Sequence, residues 1–191
     1  MLSKKDFSKI RNDMHKLDVK REEIIRLSRE IINLSKQIIY AAQRNDLKAA
    51  EPIITSIKNK IKKLKKLSIT NANIDTNIHS VAFQEYVEAI AFYEFAKNKK
   101  IPAKSQLGVN AEDYLCGLRD LTGELVRKAV YDVIHKNYSE AEKIKELVHE
   151  IYGEFLKLHL RNGELRKKSD SIKWNLKKLE EVMYDISMRK S

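Results

Sequence analysis

Residues 81–95, VAFQEYVEAIAFYEF, are the stretch that decides the fold. Read as a helix, this stretch is apolar on nearly every side, which is typical of a helix buried in a core or in an oligomer. Gln84, Glu85 and Glu88 interrupt it, and the two glutamates lie about 60° apart on neighbouring turns. The same stripe carries apolar residues on either side, including Val81 before the glutamates and Phe92 after them. Two carboxylates in such surroundings are costly to desolvate unless a cation, an arginine or lysine, or a shared proton meets them.

The composition favours one all-helical domain over residues 1–191. The chain has only two prolines and five glycines, and leucine, isoleucine, glutamate and lysine dominate the rest. The single cysteine, Cys116, excludes a framework of intrachain disulfides and favours a reducing, cytoplasmic location. No apolar run approaches the roughly 20 residues of a membrane span, and residues 1–20 are too charged for a signal peptide. We therefore expect no membrane partner.

Heptad spacing predicts long helices at both ends of the chain. The first helix is expected from about Ser3 to Arg44, with an apolar seam that packs on other long helices. The seam residues recur at sevens: Ile10, Leu17, Ile24, Ile31 and Ile38. The last helix carries a similar seam, including Ile172, Leu179 and Ile186, and could pack along the first. The expected architecture is an elongated helical bundle.

Four further helices are expected between these two. One begins near Asp46 and is bent by Pro52, and a loop follows from Ser68 to Thr76. The apolar stretch then forms a helix, and a loop to about Asn110 leads to the next. The remaining two helices are expected at residues 111–135 and from the Asn137 turn, with Ser139 as N-cap, to about Leu160. Asn162 and Gly163 indicate a turn.

A second acidic pair lies on the helix that begins near Ala111. Asp120 and Glu124 are four residues apart and hence about 40° apart on one face. Gly117 and Gly123 interrupt the same helix, which suggests that another backbone or a ligand presses against it. The alternative is a solvent-facing stripe in which Glu124 pairs with Arg127. Two helices that each offer two carboxylates could also converge on a hard cation such as Mg²⁺, with Mn²⁺ in its place as an option.

The charge of the chain points to polyanions. The formal net charge is +11 and the isoelectric point is near 9.5, a balance that favours nucleic acid or an anionic surface. The densest basic run covers residues 58–66, and it supplies four candidates for contact with a phosphate backbone: Lys62, Lys63, Lys65 and Lys66. Arg127, near Glu124, is the fifth candidate. A solvated, lysine-rich surface is the other explanation of the same run.

Other site chemistries find little support. A di-iron site in a helical bundle needs Glu-x-x-His on two helices, and this sequence contains the motif only once, at Glu146 and His149. Cys116 has no evident histidine partner. The sequence contains neither a phosphate-binding P-loop nor a dinucleotide fingerprint.

Three blocks of the sequence resemble the translin family. They are FQEYVEAIAFYEF, EDYLCGLRDLTGELVRKAV and LRNGELRKKSDSIKWNLKKLEEVMYDISMR, in the order and spacing of that family. The last block looks more like translin itself, which binds nucleic acid. The motifs QEYVEA and DLTGE look like the catalytic branch, translin-associated factor X. By that resemblance, Glu85, Glu88, Asp120 and Glu124 are the catalytic and metal-binding residues.

The resemblance implies a fold of six to seven helices, closed into a barrel-shaped homo-oligomer, often an octamer. It also implies Mg²⁺-dependent endoribonuclease activity on single-stranded or loosely paired RNA. The alternative is a non-catalytic protein of the translin type that binds single-stranded RNA or DNA, in which the carboxylates serve only in ion pairs between helices. A helical scaffold whose charge serves only solubility is the third hypothesis.

Overall fold

The computed structural model describes residues 3–70, 77–158 and 164–190, and within these ranges the chain forms seven helices and no strand. The helices are α1 (Lys4–Gln43), α2 (Leu47–Thr70), α3 (Ile78–Asn98), α4 (Lys104–Leu107), α5 (Ala111–Ile134), α6 (Tyr138–Leu156) and α7 (Glu164–Lys190). The expectation of an elongated bundle of six to seven helices is confirmed. The expected turn at residues 162–163 and most of the expected 68–76 loop lie outside the described residues, and α2 itself continues to Thr70.

Helix α1 is anchored by its C-terminal half only. Its 40 residues span about 60 Å at 1.5 Å per residue. Ile24, Ile31 and Ile38 are buried against α2 and α3, as the heptads predict. Ile10 and Leu17 are exposed, so the first half of the predicted seam does not pack on another helix within the described chain. The heptad pattern defines an apolar seam but does not say whether the partner belongs to the same chain.

Helix α3 lies in the middle of the bundle and packs against α1, α5 and α2. Eleven of its 21 residues are buried, which confirms that the 81–95 stretch is a core helix. Val81 is exposed, however, so the apolar surroundings of the two glutamates extend less far toward the start of the helix than the sequence suggests. The helix ends at Asn98, and the C-cap Lys99, with a positive φ of 55°, donates its N–H to the carbonyl of Phe95.

Helices α5, α6 and α7 form the other side of the molecule. The seam of α7 is buried at Ile172 and Leu179, but it packs against α5 and α6, so α7 does not run along α1. The Asn175 amide of α7 donates a 2.8 Å hydrogen bond to the Thr122 hydroxyl of α5. Helix α6 takes Asn137 as its N-cap, and the expected N-cap Ser139 lies inside the first turn. None of the helices in the described ranges combines the length and the hydropathy needed to span a membrane.

Candidate functional site

The two predicted glutamates of α3 lie in the interior between the helices. Glu88 is only 9% exposed and Glu85 is half-buried. Burial, together with the neighbouring carboxylates of Asp120, Glu85 and Glu124, raises the pKa of Glu88 to about 8. Burial also raises the pKa of Glu85, with Asp120 and Glu124 acting in the same direction. The four carboxylates therefore share one electrostatic environment, although they come from two helices.

The two carboxylates of α5 have basic or amide partners. Asp120 forms an ion pair with Arg119, the residue before it. Glu124 accepts two hydrogen bonds from the Arg127 guanidinium, at 2.9 and 3.0 Å, as the alternative interpretation of this stripe predicts. Glu124 also accepts a 3.0 Å bond from the amide of Gln43, the last residue of α1. These partners fix Glu124 between α1 and α5.

Three partners of the four carboxylates are not predicted from the sequence. Lys36 of α1 lowers the pKa of Glu85, and Arg119 lowers that of Glu88, each by its positive charge. Gln43 contacts Glu124 across 81 residues of chain. Arg119 could have been found because it adjoins Asp120. Lys36 and Gln43 could not, since nothing in a local pattern shows which α1 residues face α3 and α5.

Close contact between α3 and α5 brings the carboxylates together. At Gly117 a Cβ atom would lie 2.6 Å from Val87 Cβ and 2.7 Å from the Gln84 carbonyl oxygen, so only glycine allows this approach. The sequence prediction that a backbone presses on this helix is thereby confirmed at Gly117. At Gly123 the nearest atom, on the Asn175 side chain, would be 3.9 Å away, which is ordinary contact.

The start of α5 is tied to α3 by a buried carboxylate. Asp113 is buried, and the Asn110 side chain caps the helix by accepting a 2.7 Å bond from the Asp113 N–H. The Asp113 carboxylate accepts bonds from the Ser80 hydroxyl of α3 and from the Asn110 amide. Since Asp113 lies one turn before Gly117, the cap and the glycine together set the register of α5 against α3.

The donor set of this cluster suits a hard divalent cation. Four carboxylates supply oxygen ligands, and a carboxyl such as Glu88, which is costly to ionise when buried, gains most from a positive ion. Among the described residues, no three His, Cys, Asp or Glu side chains are close enough together, as they are placed, to hold a metal ion. An ion here would therefore rely on one or two carboxylates, with water and phosphate oxygens completing its shell, which is the usual way that Mg²⁺ binds.

The predicted nucleic-acid lysines lie on α2, which packs on α1 and α3, whereas Arg127 lies beside Glu124 on α5. Lys62 is exposed, and Lys63 forms a 2.7 Å ion pair with Glu23 of α1. Lys65 is half-buried and donates a 3.1 Å bond to the Leu107 carbonyl. Lys66 is exposed. Of the five basic candidates, Arg127 alone is bonded to the carboxylate cluster in the described structure.

Sequence relatives support the resemblance found in the three blocks. The chain is 42% identical to translin of Gallus gallus over 81 residues, which cover 42% of this chain and 35% of that protein. The match thus spans about a third of the length of that relative. An uncharacterised protein of Methanocaldococcus jannaschii is 33% identical over 141 residues, covering 73% of this chain and 62% of the other. Translin-associated protein X of Rattus norvegicus is 25% identical over all of this chain and 79% of its own length.

Solved structures share the fold. The crystal structure of apo-NeC3PO superimposes with a TM-score of 0.89 at 32% identity, covering 96% of this chain and 97% of the other. The structure of AfC3PO in complex with duplex RNA gives a TM-score of 0.85 at 22% identity, with 96% and 97% covered, and supports the fold alone. The model of the translin family matches residues 19–190, nearly the whole chain, and includes all four carboxylates. The chain therefore belongs to the translin family.

Proposed function

We propose that this chain is a metal-dependent endoribonuclease that acts on single-stranded or loosely paired RNA. The observation that carries the proposal is the gathering of Glu85, Glu88, Asp120 and Glu124 across α3 and α5, with Glu88 buried at a pKa of about 8. Perturbed carboxyls of this kind are typical of functional sites. The net charge of +11 supports a polyanion such as RNA as the substrate.

In this proposal Glu85, Glu88, Asp120 and Glu124 form the site for Mg²⁺, or Mn²⁺ in its place. As they are placed, one or two of them would bind the ion directly, and the others would have to draw closer to join them. A bound ion would neutralise charge on the phosphate and lower the pKa of a water for attack on phosphorus. Glu88, with a pKa of about 8, is mostly protonated at neutral pH in the ion-free protein. A cation bound there would favour the ionised carboxylate, and the proton would pass to solvent. Arg127, which is 71% exposed, holds Glu124 through its guanidinium and remains accessible to an RNA phosphate.

The basic residues of α2 would add affinity that does not depend on sequence. Lys62 and Lys66 are exposed and Lys63 is exposed beside its Glu23 partner, so these three suit a phosphate backbone best. Lys65 has its ammonium on the Leu107 carbonyl and would have to leave it to reach RNA. We expect that replacing any one of the exposed lysines will slightly reduce the salt dependence of RNA binding.

We further propose that the chain acts as a homo-oligomer, with an octamer as the expected size. The first half of α1 exposes an apolar seam that has no partner among the described residues, and α7 exposes large apolar side chains of its own. These side chains are Phe7, Ile10, Met14 and Leu17 on α1, and Trp174, Tyr184 and Met188 on α7. Exposed apolar patches of this extent commonly mark association surfaces.

The test is cleavage of an end-labelled single-stranded RNA by purified protein with Mg²⁺, with EDTA, and with the Glu88→Gln variant. We expect cleavage only with the metal and its loss in the variant, while RNA retention on a filter persists. Glu112→Gln is the matched control, since Glu112 is an exposed carboxylate in the first turn of α5. Cleavage that survives EDTA, or that Glu88→Gln leaves unchanged, would contradict the proposal.

A second candidate function follows from the partners of the α5 carboxylates. Because Asp120 pairs with Arg119, and Glu124 with Arg127 and Gln43, the cluster also suits a structural network in a non-catalytic protein that binds single-stranded RNA or DNA. In that case the same experiment gives RNA retention without cleavage in every lane. Glu88→Gln would then change stability but no activity.

A further inference from the structure

A cavity of about 600 Å³ lies between α2, α3 and the segment that connects α3 to α5. Tyr86, Ile90 and Asn98 of α3 line it, so it faces the side of α3 away from Glu85 and Glu88. Its volume is within the range of small-molecule sites. The carboxylate cluster therefore does not account for it.

The Tyr86 hydroxyl is a polar group without a partner in this cavity. Tyr86 is only 4% exposed, and its hydroxyl forms no hydrogen bond with any described residue. Three unpaired side-chain atoms of the described residues are completely buried: Ser28 Oγ, Ser35 Oγ and Arg119 Nε. The Tyr86 hydroxyl is unpaired but does not belong to this group, so it keeps some accessible surface. Since Tyr86 lines the cavity, we take that surface to face the cavity. A buried tyrosine normally finds a partner for its O–H.

Two lysines at the rim have no anionic partner. Lys58 of α2 and Lys100 after α3 line the cavity and form no ion pair or hydrogen bond within the described part of the chain. Glu94 is a carboxylate in the lining, and its Oε2 accepts a 2.8 Å bond from the Asn98 amide. The lining therefore has an excess of positive charge that an anion would balance.

The remaining polar groups offer one donor and one acceptor. Gln106 uses its Oε1 to accept a 2.7 Å bond from the Ala103 N–H, which leaves its amide hydrogens for a ligand. Asn98 uses its amide hydrogens on Glu94, which leaves its Oδ1 as an acceptor. A donor and an acceptor in the same lining match the kinds of group on the edge of a nucleobase, and apolar side chains such as Ile90 give a flat ring a surface to pack on.

The wall opposite α3 is held in place. The Lys65 ammonium donates a 3.1 Å bond to the Leu107 carbonyl, and a Cβ on Gly108 would lie 2.7 Å from the same nitrogen. Gly108 has a φ of 65°, which ends the short helix α4 and brings the backbone close to Lys65. The cavity is therefore formed before a ligand arrives.

We propose that this cavity binds the phosphate and base of a single nucleotide, with Lys58 and Lys100 on the phosphate and Tyr86, Asn98 and Gln106 on the base. The nucleotide is either a free nucleoside monophosphate or the phosphorylated end of an RNA strand. Neither source requires a metal or the carboxylate cluster. The proposal therefore stands or falls separately from the nuclease activity.

The test is calorimetric titration of the full chain with 5′-AMP, adenosine and inorganic phosphate, in EDTA. We expect saturable binding of AMP, with adenosine and phosphate each at least about tenfold weaker. Lys58→Gln and Lys100→Gln should each weaken AMP binding by about tenfold, since each removes a charge-assisted contact. Tyr86→Phe, which keeps the ring, should weaken it by about fivefold. Lys178→Gln, an exposed lysine of α7 outside the cavity, is the matched control and should change nothing.

The source of the nucleotide is decided with 5′-phosphorylated and 5′-hydroxyl RNA of the same sequence, using the Glu88→Gln variant in EDTA to prevent cleavage. A strand end is indicated when the phosphorylated RNA binds more tightly and Lys58→Gln removes the difference. A free nucleotide is indicated when the two RNAs bind equally while AMP still binds at the cavity. The proposal is overturned if AMP shows no saturable binding, or if Lys178→Gln weakens it as much as Lys58→Gln. Thermal melts confirm that Tyr86→Phe is folded.

Discussion

Replacing Glu88 by glutamine should stabilise the metal-free protein, and the gain should grow as the pH rises. In the folded chain the pKa of Glu88 is about 8, because the side chain is buried and three other carboxylates are near. In the unfolded chain it returns to its ordinary value of 4.5. Between these two values the folded protein binds more protons than the unfolded one, so stability falls as the pH rises from about 4.5 to 8.

The magnitude follows from the difference between the two pKa values. Each pKa unit corresponds to about 1.4 kcal/mol, so Glu88 costs about 3 kcal/mol at neutral pH and up to about 5 kcal/mol above pH 8. The cost is nearly absent below the ordinary pKa. Glutamine carries no charge and removes this term at every pH. For a chain of this size, 1 kcal/mol corresponds to about 2–4 °C in Tm.

The assay is thermal unfolding followed by circular dichroism at about pH 5, 7 and 9, in EDTA. The Tm of Glu88→Gln should exceed that of the parent by a few degrees or less at the lowest pH and by roughly 10 °C at the highest. Glu112→Gln provides the baseline, since Glu112 is an exposed glutamate of α5 outside the cluster. A Glu88→Gln difference that does not grow with pH would refute the reasoning, because the buried carboxyl would then ionise as easily as an exposed one.

Two further predictions concern packing. Gly117→Ala should lower the free energy of unfolding by about 1–3 kcal/mol or more, since its Cβ would lie 2.6 Å from Val87 Cβ, whereas Gly153→Ala in open space on α6 should raise it by about 0.5–1 kcal/mol. Urea denaturation checks both, and similar effects of the two alanines would contradict the close contact. Lys128→Met should cost about 3 kcal/mol, because Lys128 Nζ lies 2.6 Å from the carboxylate of Asp132, which is buried and would be left unpaired. Adding Asp132→Leu should recover most of that loss, and a double variant as unstable as the single one would show that the ion pair is not the cause.

The parts of the fold that the sequence predicts are those governed by local periodicity. The bounds of α1 and α5 agree with prediction within one residue, because caps, heptads and turn residues act over a few positions. The sequence predicts a loop where the structure forms helix α4, since four residues are too few to show a helical period. The packing of α7 on α5 and α6 could not be read from its seam, because a heptad seam fits several partners equally well.

In the candidate site, too, the features set by local sequence are predictable and those set by tertiary packing are not. Both acidic pairs are visible as spacings on single helices, and Gly117 indicates the close approach that unites them. The contributions of Lys36 and Gln43 depend on which turns of α1 face Glu85 of α3 and Glu124 of α5, and that is decided by tertiary packing. The cavity that contains Tyr86 is likewise invisible in sequence, because its lining comes from three separate segments.

The exposed first half of α1 links folding to concentration. Residues 4–22 are all exposed, so local interactions hold them helical: their backbone hydrogen bonds, the Ser3 N-cap and the ion pair of Lys16 with Asp13. An isolated helix of roughly 20 residues is marginal in water. The amide protons of this segment should therefore exchange with solvent far faster than those around Ile31, and should become protected only when the apolar seam meets a partner. Association would then supply the free energy that orders the segment, so that the length of α1 depends on how much of the protein is assembled.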